Sequence, residues 1–280
     1  MTWFSETLHP GYCQHLEIGH VVFEDKTEHQ HLILFDNPIF GRVLALDGIV
    51  QTTERDEFFY HEMLVHVPLV AHGAAQNVLI IGGGDGGSLR EVLRHPVEHA
   101  TLVELDRTVI DLCTEHLPGL SQGAFDDPRT QVHIGNGGRF MADTEQKFDV
   151  IIVDSTDPMG PGEALFTQAF YGDCKRCLSP GGVLVTQNGV PFFQADELTR
   201  AGRRLRQEFS DVGFYTVPVP TYVGGPMTLG FSTDNPDLHR LGTDVLAARF
   251  AALEITTRYY TPHVHRAAFD LPGYITALIP

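Results

Sequence analysis

The chain has 280 residues, of which 42% are apolar, and this excludes a disordered protein because such a chain can bury a substantial core in one large domain or two unequal ones. Its 36 Asp and Glu residues against 19 Lys and Arg give a formal net charge of −17 at pH 7. That charge excludes nucleic acid as a partner, since phosphate binding depends on Lys and Arg, and it would attract cationic substrates.

The cysteines and the N-terminal stretch indicate the cellular compartment. Four cysteines are too few and too scattered for a disulfide scaffold in a chain of this size, which fits a reducing cytoplasm. The stretch "MTWFSETLHPGY" lacks both a basic and an apolar segment, and no apolar run approaches the roughly 18 residues of a membrane helix. We therefore expect a cytoplasmic protein with no membrane partner.

The first third of the chain consists of short extended segments broken by turns. The segments "HLEIGHVVFED" and "HLILFDNPIFGRVLALDGIVQTT" contain Asp-Asn-Pro and Leu-Asp-Gly turns, which indicate β-hairpins. We predict a small antiparallel β domain over residues 1–54.

Helices alternate with short buried strands from residue 55 onward, which is the pattern of a parallel sheet covered by helices. The segment from Asn77 to His95 is predicted as a strand, a glycine loop and a helix. Further strands are predicted at 100–106, 130–135, 150–153, 181–189, 214–220 and 227–233, and further helices at 55–73, 107–117, 163–178 and 195–210. Residues 55–280 are thus predicted to form a Rossmann-like domain with a mostly parallel sheet, which makes the fold class α/β.

The glycine loop "IIGGGDGG" follows an apolar strand and opens a helix, so its backbone can approach a nucleotide-like ligand at a helix N-terminus. Asp85 in this loop would repel the carboxylate of intact S-adenosylmethionine and would favour a ligand that ends in an ammonium group. Glu104 closes the next strand, 20 residues after the third glycine (104 − 84), where an acidic residue holds ribose hydroxyls. Together these features predict an adenosine ligand, and a surface acid after a strand is the alternative for Glu104.

Two carboxylates, Asp154 and Asp157, follow the apolar run from Val150 to Val153. Such a run is typical of a buried parallel strand, and ligands of open α/β sheets bind beyond the carboxyl ends of these strands. The alternative is a simple turn, because Asp, Ser, Thr and Pro are common turn formers. From this segment alone, chemistry and turn formation stay equally open.

Six segments, in chain order, resemble the polyamine aminopropyltransferases and span nearly the whole sequence: "LALDGIVQTTERDEFFYHEM", "IIGGGDGGSLREV", "VELD", "VDSTDPMGPGEALF", "CKRCLSPGG" and "PTYVGG". The resemblance implies a Rossmann-like domain similar to that of S-adenosylmethionine-dependent methyltransferases. It also implies transfer of an aminopropyl group from decarboxylated S-adenosylmethionine to putrescine, which yields spermidine and methylthioadenosine. Decarboxylated S-adenosylmethionine would be a co-substrate, no metal or prosthetic group would take part, and the assembly would be a homodimer.

The resemblance further implies roles for residues at matching positions. Asp154 would be the general base, and Asp157 would bind the diamine. Asp85 would hold the terminal ammonium of the donor, Glu104 would hold its ribose, and Pro161 would belong to a loop that closes over it. The other implied donor ligands are Gln30, Gln51, His61, Gly82, Asn136 and Gly137, and the other implied residues of the diamine site are Tyr60, Gln187 and Tyr222.

The chain departs from the family pattern at one position. Family members usually have an acidic residue before the glycine, whereas this chain reads "HIGNGGRF", with Asn136 before Gly137. Asn136 keeps a carbonyl acceptor for the adenine amino group but loses the charge. Hydrogen bonds to charged groups contribute about 1.5–3 kcal/mol against about 0.5–1.5 kcal/mol for neutral ones, so we expect donor affinity to fall by roughly 1 kcal/mol.

Three other signals are interpreted as structural. His61 and His66 are five positions apart, whereas zinc-binding histidines that share a helix face are four apart. Cys174 and Cys177 form a lone CxxC pair and are expected to be buried small side chains. The basic run 200–207 is expected to be a solvated helix face. We therefore predict no metal site.

Two other functions stay open. One is an amine methyltransferase that uses intact S-adenosylmethionine, which shares the glycine loop and the ribose acid, although Asp85 argues against it. The other is a noncatalytic nucleoside- or polyamine-binding paralogue, which Asn136 encourages and the presence of both Asp154 and Asp157 discourages. The choice among putrescine, cadaverine and longer amines depends on the depth of the pocket, which the sequence does not give.

Overall fold

The computed structural model describes residues 2–158 and 160–280, apart from the side chain of Pro161. The described strands form a two-stranded, a four-stranded and a seven-stranded sheet. The first two sheets are antiparallel and come from the N-terminal part of the chain, and the third is mostly parallel. The predicted α/β fold class is therefore confirmed.

Antiparallel hairpins make up the N-terminal part. Its six strands are β1 (Thr2–Glu6), β2 (Gln14–Ile18), β3 (His20–Lys26), β4 (His31–Asn37), β5 (Gly41–Leu46) and β6 (Ile49–Thr53). β1 pairs with β2, and β3 to β6 pair in chain order. Asp47 and Gly48 join β5 to β6 with φ angles of 48° and 79°, the positive pair that a tight two-residue hairpin turn requires. The hairpins are confirmed, whereas the division of the chain between residues 54 and 55 stays a prediction.

Five parallel strands form one side and the centre of the seven-stranded sheet, and an antiparallel pair completes the other side. The strands are β7 (Asn77–Gly82), β8 (His99–Glu104), β9 (Thr130–Ile134), β10 (Phe148–Asp154), β11 (Leu178–Gln187), β12 (Asp211–Val217) and β13 (Met227–Thr233). Their order is β12-β13-β11-β10-β7-β8-β9. The chain builds outward from β7 to β9 and then returns to β10 beside β7, so the direction of winding reverses between β7 and β10. Ligands of such folds bind at this reversal.

Helices cover both faces of the sheet. They are α1 (Glu57–His72), α2 (Gly87–Leu93), α3 (Arg107–His116), α4 (Pro118–Ser121), α5 (Gly137–Asp143), α6 (Gln168–Cys177), α7 (Ala195–Glu208), α8 (Thr243–Ala251), α9 (Pro262–Ala268) and α10 (Gly273–Thr276). Successive residues of a strand point to opposite faces. Val78 and Ile80 of β7 accordingly pack in the apolar cluster that contains α1, and Leu79 and Ile81 pack in the cluster that contains α6 and α7. Burial on both faces explains why these strands read as continuous apolar runs.

One predicted helix boundary was wrong and another was confirmed. The helix predicted at 163–178 begins later, because Gly160–Phe166 form a 3₁₀ helix and α6 follows Thr167, whose side chain caps it by accepting the N–H of Phe170. Pro118 was predicted to stop a helix, and α3 does end before it. Pro118 also occupies the first position of α4, where its missing N–H would have had no helical partner.

The cysteine pair and the basic run have the structural roles that were expected. Cys174 and Cys177 are buried on α6 without disulfide bonds, and burial raises the pKa of both thiols. On α7, Arg200 and Arg203 are exposed while Leu205 packs in the core. Within residues 2–158 and 160–280, no helix has both the length and the apolar character needed to cross a bilayer.

Candidate active site

A cavity of about 460 Å³ opens at the carboxyl ends of β7, β8, β10 and β11. Among the described residues that line it there is no Lys or Arg, whereas six have carboxylate side chains: Glu6, Asp47, Asp85, Glu104, Asp154 and Asp157. Walls of one charge sign raise the local concentration of ligands of the opposite sign. The cavity therefore favours cationic ligands and offers no Lys or Arg partner to a ligand carboxylate.

The predicted site residues come together in this one cavity. Those that line it are Gln30, Gln51, Tyr60, His61, Gly82, Asp85, Glu104, Asn136, Gly137, Asp154, Asp157, Gln187 and Tyr222. The side chain of Pro161 lies outside the described part of the structure. What each residue binds stays a prediction.

Asp154 is the last residue of β10, and two hydroxyl groups hold its carboxylate. Tyr60 Oη donates to Oδ1 at 3.0 Å, and Ser88 Oγ donates to Oδ2 at 2.6 Å. Burial raises the pKa of Asp154 and outweighs the lowering by the charge of His61, and nearby Asp85 raises that pKa further against the smaller effects of the two hydroxyls. A carboxylate with a raised pKa is a stronger base, and this one faces the cavity in a fixed orientation.

Asp157 lies beside two glutamine amides. The amide oxygen of Gln187 accepts the N–H of Gly189 at 2.9 Å, and that of Gln194 accepts the N–H of Val190 at 2.7 Å. These bonds leave the NH₂ group of each amide as the donor to Asp157. Burial raises the pKa of Asp157 despite both donors. The carboxylate is thus held in place while part of its acceptor capacity stays available to a ligand.

Close backbone approach explains the first glycine of the loop. Gly82 has φ = 85°, and a Cβ atom there would lie 2.0 Å from the carbonyl oxygen of Asp154. Any other residue would push β7 and β10 apart at the point where the cavity forms. The glycine therefore keeps the loop against Asp154.

Glu104 ends β8 and accepts two backbone N–H groups. Gly84 donates to Oε2 at 3.1 Å, and Asp106 donates to Oε1 at 2.9 Å. Burial raises the pKa of Glu104 to about 7. The neighbouring Asp106 also accepts from Gln30 Nε2 at 3.3 Å, so a residue between β3 and β4 is held beside the predicted ribose site.

Asp85 and His61 form a buried pair at the glycine loop. Asp85 Oδ1 accepts the N–H of Gly87 at 2.8 Å, and Oδ2 lies 3.4 Å from His61 Nε2. Burial alone would lower the pKa of His61, but Asp85 and Glu57 outweigh it and raise that pKa well above its ordinary value. The pKa of Asp85 is lowered, because His61 and the Gly87 N–H outweigh its burial.

Asn136 faces the cavity and is also the N-cap residue of α5. Its side-chain oxygen accepts the N–H of Arg139 at 2.9 Å and so caps the N-terminus of α5. One lone pair of that oxygen is therefore already used, and the NH₂ group is the remaining polar edge. The predicted contact with adenine must share the oxygen with this cap.

Besides Asp47 in the cavity wall and Gln194 beside Asp157, four residues at or beside the site were missed by the sequence analysis. Glu6 and His9 line the cavity from the far N-terminus, Ser88 bonds to Asp154, and Glu57 bonds to His61. Glu6 accepts the N–H of Val50 at 2.7 Å, and burial raises its pKa. The sequence signal for Glu6 was its position two residues after the buried Phe4, which places both side chains on the same face of a strand. The signal for Glu57 was its position four residues before His61, which places both side chains on the same face of a predicted helix.

Comparison with known proteins gives consistent matches over nearly the whole chain. Residues 2–54 match the family model described as spermidine synthase tetramerisation domain, and residues 57–241 match the spermine/spermidine synthase domain. Proteins named polyamine aminopropyltransferase from Ruegeria sp. (strain TM1040) and Shigella flexneri serotype 5b (strain 8401) are each 56% identical to it. The matches cover 99% and 97% of this chain and 98% and 95% of those proteins.

Two solved structures share the fold closely. A spermidine synthase in complex with the transition-state analogue AdoDATO superposes with a TM-score of 0.95 at 37% identity, covering 99% of this chain and 94% of that one. The spermidine synthase of Thermotoga maritima superposes with a TM-score of 0.93 at 36% identity, covering 100% of this chain and 94% of that one.

Proposed function

The chain belongs to the spermine/spermidine synthase family, and we propose that it is a spermidine synthase that transfers the aminopropyl group of decarboxylated S-adenosylmethionine to putrescine. The relatives confirm a polyamine aminopropyltransferase and favour neither a methyltransferase nor a noncatalytic paralogue. The observation that carries the proposal is the cavity lined by six carboxylates, with no Lys or Arg among its described lining residues. Both proposed substrates are cations.

The donor fits the wall formed by the glycine loop. Decarboxylated S-adenosylmethionine ends in an ammonium group, for which Asp85 is an acceptor with a lowered pKa and hence a stable charge. Glu104 lies where a ribose diol can donate to its carboxylate. Intact S-adenosylmethionine would bring its carboxylate toward the charged carboxylate of Asp85, and two neighbouring negative charges repel each other.

The acceptor fits the other wall. A primary amine has a pKa near that of Lys, about 10.4, so putrescine arrives charged and cannot attack until one nitrogen loses a proton. Asp154 can accept that proton, and its raised pKa narrows the difference from the amine. Asp157 can bind the diamine and hold it in register with the donor.

The bonds and charges of the transfer balance. The nitrogen lone pair forms a bond to the carbon next to the sulfonium, the carbon–sulfur bond breaks, and its electron pair neutralises the sulfur. The products are spermidine and neutral 5′-methylthioadenosine, and the proton stays on Asp154 until solvent removes it. Because the sulfonium is already a good leaving group, positioning and one base are sufficient.

The proposal also covers the oligomeric state and the cellular location of the protein. The match of residues 2–54 to a tetramerisation domain supports an oligomer, and we propose the homodimer implied by the resemblance as its smallest unit. Trp3 and Ile39 in this part are 50% and 61% exposed in the single chain, which is consistent with a contact surface. Light scattering on the purified protein will give the subunit number. A cytoplasmic location also stays a proposal.

A product assay tests the function. Purified protein is incubated with putrescine and either decarboxylated or intact S-adenosylmethionine, and amines and nucleosides are resolved by mass. We expect spermidine and methylthioadenosine only with the decarboxylated donor. No product from that donor with any of several amines would reject the proposal, and a methylated amine from the intact donor would identify a methyltransferase instead.

A further inference from the structure

A buried chain of polar contacts leads from the cavity wall into the protein through Glu57, which does not line the cavity. We propose that Glu57 is a positioning residue that holds His61 as an imidazolium, and that this cation keeps Asp85 and Asp154 ionised for the reaction. The effect on turnover rests on the proposed function, whereas the protonation of His61 can be measured without it.

Each ring nitrogen of His61 faces a carboxylate. Nδ1 lies 2.6 Å from Glu57 Oε2, and Nε2 lies 3.4 Å from Asp85 Oδ2. An ionised carboxylate only accepts hydrogen bonds, and a neutral imidazole has a single N–H. When Nδ1–H donates to Glu57, a neutral ring turns the lone pair of Nε2 toward the Asp85 carboxylate, whereas a doubly protonated ring makes that 3.4 Å contact an attractive ion pair.

Packing keeps the ring in this orientation. The His61 side chain is 3% exposed, so bulk water does not replace either carboxylate. The backbone of Gly87 lies against the ring, and a Cβ atom at that position would be 2.3 Å from Cε1. The ring therefore stays between Glu57 and Asp85.

Glu57 is itself fixed as an anion by a second cation. Its Oε2 also accepts from Arg90 Nη2 at 2.9 Å, while Arg90 Nε lies 2.8 Å from Glu91 Oε1 and Nη1 donates to the carbonyl of Leu120. Burial would raise the pKa of Glu57, but His61 and Arg90 outweigh it and lower that pKa. The carboxylate beside Nδ1 is thus charged over the working pH range.

Every carboxylate of this chain of contacts lies against a cation when His61 is protonated. Arg94 pairs with Glu91 at 2.7 Å, and the neighbouring His66 contacts Glu91 at 2.9 Å. The titratable groups that face His61 are Glu57 and Tyr60 of α1, Asp85 of the glycine loop, Arg90 of α2 and Asp154 of β10. With His61 protonated, each of the three carboxylates Glu57, Asp85 and Glu91 contacts at least one of the cations His61, Arg90 and Arg94, and Asp85 contacts only His61 among them. Asp154 is held by two hydroxyl groups, so its negative charge remains available to a cationic substrate.

A neutral His61 would change the state of the base. Asp154 is buried and close to Asp85, and both conditions favour its protonated form, whereas the charge of His61 opposes them. Without that charge, Asp154 would hold a proton at higher pH and could not accept one from the amine. Glu57 would therefore act on turnover through His61, without touching a substrate.

Nitrogen-15 NMR of the histidine rings tests the protonation directly. In the ligand-free protein at pH 7.5 we expect both ring nitrogens of His61, assigned with a His61→Gln variant, to carry protons. The variant Glu57→Gln keeps a carbonyl acceptor at Nδ1 but removes the charge, so the titration midpoint of His61 should fall by about one pH unit or more. A neutral His61 in the unmodified protein would overturn the proposal, even if Glu57→Gln fails to fold.

The pH profile of turnover gives the second readout. In Glu57→Gln, the acidic limb of kcat should move to higher pH by about one unit. The matched control is Glu62→Gln on the same helix, because Glu62 is 2% exposed and accepts the N–H groups of Arg258, Tyr259 and Tyr260 without contacting His61. We expect the control to lose stability and keep the acidic limb.

Two kinetic outcomes would contradict the proposal. One is a folded Glu57→Gln variant whose acidic limb coincides with that of the unmodified enzyme, and the other is an equal shift in Glu62→Gln, which would indicate general loss of packing. If the unmodified enzyme makes no spermidine, the proposed function fails, and the NMR result still decides the protonation of His61.

Discussion

Asp154 combines the features that a general base requires at the scale of a single residue. Its carboxylate is oriented by Tyr60 and Ser88, and burial raises its pKa. We expect Asp154→Asn to lower kcat by about 10²- to 10⁴-fold, the usual contribution of a positioned base, with little effect on donor affinity. Single-turnover rates and methylthioadenosine binding measure the two effects separately.

A matched variant on the same strand controls for this change. Asp149 lies near the opposite end of β10, where Oδ2 accepts the N–H groups of Gln76 and Asn77, far from the cavity. Asp149→Asn should therefore leave kcat unchanged. Unaltered turnover of Asp154→Asn at neutral pH would show that another group accepts the proton.

Asn136 is predicted to limit donor affinity. Its oxygen already caps α5, so the adenine amino group must share a neutral acceptor of which one lone pair is in use. In Asn136→Asp, one carboxylate oxygen can keep the cap and the other can accept, and donor affinity should rise by roughly 1 kcal/mol, or about fivefold. Calorimetry with methylthioadenosine measures this, and Asn136→Ser, which keeps only the cap, is the control. Equal affinity of the Asp variant and the unmodified protein would argue against an adenine contact.

Glu104 should make nucleoside binding depend on pH. Its pKa is raised to about 7 by burial, and the proton must leave before the carboxylate can accept both ribose hydroxyls. Binding is therefore strongest above pH 7 and should weaken by roughly tenfold per pH unit below it. Titrations with methylthioadenosine from pH 5.5 to 8 test the slope. The same slope in Glu104→Gln would assign it to another group.

At the scale of elements, the junction of α1 and α2 places His61 at the cavity. Gly87, the first residue of α2, touches the ring, so Gly87→Ala must displace it. We expect a loss of about 1–3 kcal/mol in the free energy of unfolding, together with weaker donor binding. Gly119→Ala is the matched control, because nothing lies within 4 Å of the added Cβ at a helical position. Denaturant unfolding and methylthioadenosine binding of both variants distinguish a local clash from a general effect of alanine.

The sequence predicted those elements whose pattern of apolar residues is set by burial in the core. Buried parallel strands are apolar throughout, so β7 and β10 were recognisable, and Asp85 after β7 and Asp154 at the end of β10 could be placed at one edge of the sheet. The 3₁₀ segment 160–166 and the short helices α8 to α10 have no comparable period, and their conformation depends on the surface against which they pack. Glu6 escaped prediction because it is far in sequence from the rest of the site, and Val50 and Gln14 hold it only in the folded protein.

The whole molecule joins its N-terminal strands to the Rossmann-like sheet through contacts beside the cavity. Thr27 and Gln30 donate to Asp106, and Gln14 donates to the carbonyl of Thr221. Just after β6, where the second part of the chain begins, Asp56 accepts both the N–H and the hydroxyl of Thr221 at 2.9 and 2.8 Å, which fixes the entry to that part. The site is therefore built from both parts of the chain, and neither part contains all of the predicted ligands.

At the scale of the whole molecule, the net charge of −17 and the six cavity carboxylates attract putrescine, which carries two positive charges. The field reaches about 10 Å at 0.1 M salt and about 3 Å at 1 M, so added salt removes most of its range. We expect kcat/KM for putrescine to fall by about tenfold or more between 0.01 and 0.5 M NaCl, while kcat at saturating substrate changes little. Methylthioadenosine is neutral, and its inhibition constant should not respond to salt. A parallel change in both quantities would mean that salt acts on the enzyme itself, whereas a change confined to putrescine assigns the effect to the field of the acidic surface.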